Sequence, residues 1–150
     1  MSRFVPLLFA VLLTLAGCGQ RGGFVYVLEE PQTVTLNASA SSTSVAYRDT
    51  VVLRAERRTT GKWKRIPLSE VTPGQCWEYQ PPVEVEPEVA DLVHWQIVPE
   101  NGAVLSRDFR TDHTKAATLL VKGIVTFTPI SAVKCEDRRV EGTPIQIEVE

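Results

Sequence analysis

Residues 49–58 read DTVVLRAERR, and this stretch decides the fold class. Val51, Leu53 and Ala55 recur at every second position, so an extended backbone puts all three on one face. A helix would turn each about 200° from the one before and leave no apolar side. The β-branched pair Val51-Val52 adds to the strand preference. Thr59-Thr60-Gly61 then reads as a turn, and residues 62–68 (KWKRIPL) are expected to return as its hairpin partner.

Working outward from this strand, the same pattern recurs. Residues 24–28 (FVYVL), 33–36, 92–98 (LVHWQIV), 103–106, 116–121, 123–133 (GIVTFTPISAV) and 143–149 (TPIQIEV) are strand-length runs between turn signals. In the Trp-containing run, Val93, Trp95 and Ile97 share a face and His94 points away from it. Residues 39–44 (SASSTS) read as a polar joint and 107–115 as a charged loop. From Cys18 onward Val and Ile number 24 against 17 Leu and Ala, and no strong helical period appears. Strands spaced by 8–12 residues predict an antiparallel β-sandwich or barrel. The 150 residues make one domain of ordinary size, and 43% hydrophobic content excludes a disordered chain. A net charge of −2 argues against nucleic acid as a partner.

The N-terminus has a different character. Arg3 is followed by an apolar run over residues 4–15, too short for a bilayer but right for a secretory core. The tetrapeptide Leu15-Ala16-Gly17-Cys18 resembles the lipobox of bacterial lipoproteins. That resemblance implies cleavage before Cys18, a diacylglyceryl group on its thiol and an acylated amino group. Several acyl chains anchor stably where one does not. Gly19 stands where Asp would resemble an inner-membrane retention signal, so the expected destination is the outer membrane, with the protein facing the periplasm or the surface. Residues 1–17 are therefore expected to be the signal peptide, 18–23 the lipidated Cys and tether, and 24–150 the folded domain.

With Cys18 assigned to the lipid, Cys76 and Cys135 remain in an exported, oxidising compartment, where a disulfide is expected. A catalytic thiol or a metal-binding pair is the competing reading, but no CxxC spacing supports it and the chain has only two histidines.

The succession DTVVLRA, VHWQI, KGIVTFT and a final edge strand resembles the bacterial immunoglobulin-like and polycystic-kidney-type sandwich domains. By that resemblance the four are strands B, C, F and G of an all-β, immunoglobulin-like antiparallel sandwich. Two departures stand out. Residues 62–91 form a long insertion between B and C, and the cysteines do not join B to F. The insertion holds or adjoins five of the ten prolines (67, 73, 81, 82 and 87), which excludes helix over 69–91 and argues against a central strand.

No catalytic motif is present: no nucleophile elbow, metalloprotease helix or phosphate-binding loop. His94 and His113 read as surface residues, and Asp108, Asp112 and His113 share a loop without a visible pocket. Charge is more informative. Arg54, Arg57, Arg58, Lys62, Lys64 and Arg65 crowd 12 residues with Trp63 among them, opposed only by Glu56. Downstream, Glu78, Glu84, Glu86, Glu88 and Asp91 have no positive residue between them, and an extended backbone would aim Glu84, Glu86 and Glu88 the same way. Three readings are open. Both runs are solvated faces that protect strand edges; or the basic run meets anionic headgroups or acidic glycan; or the acidic run folds back on the basic one or docks a basic protein. Trp77 and Tyr79 either cover the disulfide or form a recognition surface.

The expectation is a lipid-anchored envelope protein, not an enzyme, that binds or supports an envelope assembly; an inhibitor or accessory subunit of an envelope enzyme or secretion machine is the alternative. Its partners would be the membrane, through the anchor, and an envelope protein. No nucleic acid, small-molecule substrate, cofactor or metal is called for. The candidate partner-binding residues are Lys62, Lys64, Arg65, Trp77, Tyr79, Glu84, Glu86 and Glu88.

Overall fold

The computed structural model describes residues 23–81, 85–87, 93–109 and 114–150. Among the described residues, nearly all of the regular structure is in β-strands. In order these are β1 (Phe24–Leu28), β2 (Thr33–Ala40), β3 (Ser44–Val45), β4 (Thr50–Thr60), β5 (Trp63–Pro67), β6 (Trp77–Glu78), β7 (Val85–Pro87), β8 (Val93–Val98), β9 (Ala103–Arg107), β10 (Thr114–Leu119), β11 (Gly123–Ala132), β12 (Arg139–Glu141) and β13 (Ile145–Val149). A 3₁₀ turn, Leu68–Glu70, follows β5. The chain forms two compact units: one within Met1–Glu29 and Trp63–Pro81, the other from Glu30–Lys62 and Pro82–Glu150.

The larger unit is a β-sandwich. One sheet runs β2-β4-β10-β9 with β7 also paired to β4; the other runs β12-β11-β13-β3 with β8 also paired to β11. β4 alternates as its sequence dictates, with Val51, Leu53 and Ala55 fully buried. Val51, Leu53, Ala103, Ala117 and Leu119 from the first sheet meet Val125, Phe127, Ile147 and Val149 from the second in one cluster. Each large side chain buried there stabilises the fold by about 1.5–3 kcal/mol. Trp95, half-buried on β8, packs on this cluster and also on the smaller one of Leu36, Ala55 and Val93. The Trp strand therefore faces inward as its alternation requires, and His94 is exposed.

The polar joint is where the chain changes sheets. β2 ends at Ala40 in the first sheet, and β3 begins at Ser44 in the second, parallel to β13 through Glu148↔Ser44 and Val149↔Val45. Ser41 holds the crossing by accepting the Val52 N–H on its hydroxyl, 2.9 Å, and donating its own N–H to the Val52 carbonyl, 2.9 Å. Ser42 and Ser44 bond to one another across the next step. Serine hydroxyls supply what a missing ladder would leave open.

One expectation is corrected. β5 is a strand, but not the hairpin partner of β4. One side of β4 pairs with β2 over eight rungs, from Thr33↔Thr60 to Ala40↔Leu53, and β10 and β7 pair with it as well. Both sides being taken, β5 pairs with β1 in the smaller unit. The Pro-rich insertion carries short regular elements. It contributes β5, the 3₁₀ turn, β6 and β7, and Pro87 lies in a strand that pairs only with β4 among the described residues. Prolines confine such strands to edges and do not forbid them.

The smaller unit is a three-stranded antiparallel sheet, β5-β1-β6. Val25 and Val27 of β1 are buried, and Phe24, Tyr26 and Leu28 alternate with them on the other face. The segment Thr72-Pro73-Gly74-Gln75 closes a turn before β6: the Gln75 N–H donates to the Thr72 carbonyl at 3.1 Å, and Gly74 has φ +82°. Pro followed by a left-handed Gly is the type II signature.

Candidate functional site

The described sequence-derived candidates are divided between the two units. Lys64 and Arg65 lie exposed on β5, opposite Val27 and Tyr26. Trp77 is half-buried on β6 opposite Val27; Tyr79 follows it, 71% exposed, the two rings edge to face at 4.9 Å. Those four residues belong to the smaller unit. Lys62 ends the first of the larger unit's two segments, exposed, with a 4.0 Å ion pair to Glu30 in open solvent that contributes little. Glu86 belongs to the larger unit as well, where the β7 backbone puts it opposite Arg57. Glu84 and Glu88 lie outside the described residues, as do Cys18 and the whole lipobox. The acidic segment thus runs beside the basic strand in the sheet, at least from Val85 to Pro87.

The basic run is split by strand alternation. Arg54 and Arg58 are exposed, but Arg57 points inward and is 4% exposed, with its Nε donating to the Ser131 hydroxyl of β11 at 3.1 Å. Ser131 is itself fully buried and donates onward to the Ala132 carbonyl. Beyond Ala55 the inward face of β4 therefore turns polar, with Arg57 and then Thr59. Along β4 the positive charges therefore do not share one face.

A disulfide joins Cys76 and Cys135, as the cysteine arithmetic predicts. Sulfurs held in that bond offer no thiolate, which removes the nucleophile and metal-pair readings of these two residues. Cys135 sits in the tight β11–β12 turn with φ +68°, where the Val133 N–H donates to the Arg138 carbonyl and the Glu136 N–H to the Val133 carbonyl. Arg138 braces the turn, pairing with Glu136 at 3.0 Å and donating to the Gln32 carbonyl, while the Gln32 amide donates to the Lys134 carbonyl.

Within the larger unit a shallow groove of about 320 Å³ runs between β8 and the β9–β10 pair, lined by Val93, His94, Trp95, Leu105, Ser106, Arg107 and Lys115. It is open, and its one histidine is exposed. Asp108, next along from β9, is buried; Asp112 and His113 lie outside the described residues. Among the described residues no helix is long and apolar enough to cross a membrane.

What the sequence reading missed is the second face of the small sheet. Phe24, Tyr26 and Leu28 stand directly opposite Pro67, Arg65 and Trp63, and residues opposite one another in a ladder share a face. Phe24 is 52% exposed, and the Arg65 guanidinium lies 4.2 Å from its ring centroid. The signal was present in F-x-Y and W-x-R, each of period two, but the partnership of β1 with β5 was not. No family model matches this chain, and none of the curated proteins matches it.

Proposed function

We propose that this chain is a lipid-anchored protein of the bacterial cell envelope that acts by binding, as a module of an envelope assembly, and not by catalysis. The observation that carries the reading is the fate of the cysteines. Cys76 and Cys135 are joined, so Cys18, directly behind Leu15-Ala16-Gly17, is the one thiol left for a lipid. A structural disulfide also fits an oxidising compartment such as the periplasm. Gly19 favours the outer membrane as the destination.

The sandwich is proposed to be immunoglobulin-like. Its order β2-β4-β10-β9 against β8-β11-β13 fits A-B-E-D against C-F-G. In that lettering the inserted residues fall between B and C, and β3 adds to G. Such a scaffold holds exposed segments rigidly for a partner, and the absence of an acid–base constellation in the sequence supports binding over turnover.

The test is Cys18→Ser in a bacterium that lipidates its exported proteins. The unaltered chain is expected to take up labelled fatty acid and to be shortened at residue 17. The variant is expected to stay full length and unlabelled. Equal labelling of the two chains would overturn the anchor.

A further inference from the structure

We propose that the Phe24-Tyr26-Trp63-Arg65 face of the small sheet seats in the headgroup layer of the membrane that holds the anchor, taking an anionic phospholipid surface as its ligand. The proposal rests on the lipobox reading of Cys18. Three observations lead to it.

First, chain length confines the sheet. Only residues 19–23 separate Cys18 from β1, a reach of about 17 Å at roughly 3.3 Å per extended residue. The first strand of the folded chain therefore cannot leave the neighbourhood of the lipid.

Second, the face has the chemistry of a water–lipid boundary. Tyr26 and Trp63, both half-buried, combine apolar rings with a polar edge, the composition that collects at membrane interfaces. Phe24 adds an aromatic ring more than half exposed, at the end of the strand nearest the tether.

Third, the charge is of the right sign. Arg65 is exposed, stacked on Phe24 and opposite Tyr26. Among the described residues no carboxylate pairs with it, so its N–H edges can reach a lipid phosphate while its stem lies along the rings. Glu78, opposite Tyr26 on β6, is half-buried and already engaged. On the opposite face of β1, Val25 and Val27 are buried.

The test uses the full chain, purified with its lipid and reconstituted into vesicles of phosphatidylcholine with phosphatidylglycerol. Lipids brominated near the headgroup end of the acyl chains are expected to quench part of the tryptophan emission, and Trp63→Phe should remove that part. Quenching that is absent, or equal in Trp63→Phe, would overturn the proposal. A second arm separates the face from the anchor: a chain that begins at residue 19, and so carries neither the lipid nor the apolar leader, is sedimented with the same vesicles. Weak binding is expected that needs phosphatidylglycerol and falls at least tenfold in Phe24→Ser/Arg65→Glu, both exposed positions. Binding unchanged by that pair, or seen only with peptidoglycan glycan and not with vesicles, would overturn it. The mass of the N-terminal peptide reports separately whether Cys18 is acylated, so failure of the anchor and failure of the face give different results.

Discussion

At the scale of single residues, Arg57 shows how far alternation can be read and where it stops. The sequence places Val51, Leu53 and Ala55 inward, and strict period two carries that face on to Arg57 and Thr59. Composition pulled the other way, because a run of six basic residues reads as solvated. Geometry won: the backbone of β4 stays regular through Thr60, so the arginine goes in and is met by Ser131. Nothing local announces that serine, which lies 74 residues away on the facing sheet. Removing one partner of a buried bond leaves the other desolvated and unpaid. Ser131→Ala is therefore expected to cost about 1–3 kcal/mol, measured by urea unfolding, with little change in the slope of the transition.

At the scale of elements, long strands were legible and short ones were not. β4, β8 and β11 carry enough alternation to be placed from sequence, and Trp95 of β8 sits where the pattern puts it. β6, β7 and β12 have two or three residues each and exist only because a partner strand is there to pair with. The same reason defeated the β4–β5 hairpin, since sequence proximity favours a hairpin but the occupied edges of β4 decide. β7 also changes what the insertion does. With Glu56↔Pro87, Arg57↔Glu86 and Arg58↔Val85 in register, deletion of residues 81–88 uncovers an edge of β4 next to a buried arginine. We expect it to lower stability by about 2 kcal/mol, a few backbone bonds' worth. Thermal unfolding with faster amide exchange at Arg57 and Arg58 would verify it, and an unchanged midpoint would show that β7 adds no stability to the sheet.

At the scale of the whole molecule, the covalent link is the largest single device. The disulfide closes a ring of about 60 residues, and the chain-entropy relation assigns it about 4 kcal/mol, a large share of the 5–15 kcal/mol that a domain typically commands. Cys76→Ser/Cys135→Ser is thus expected to lower the unfolding free energy by several kcal/mol, and reduction of the unaltered protein should mimic it. An equal midpoint with and without reductant would show that the bond is merely ornamental. A different property follows from the switch of sheets between β2 and β3. Because β3 runs parallel to β13, tension drawing one strand back toward the start of the chain and the other toward its end acts along both strands at once. The bonds from Glu148 to Thr43, Glu150 to Val45 and Tyr47 to Glu150 then carry the load side by side and must break together, whereas an antiparallel pair pulled from one end opens a rung at a time. A protein fixed at one end to a membrane and held at the other by a partner would be gripped across its strongest direction, so the two-residue strand that looks most expendable would serve as its mechanical clasp.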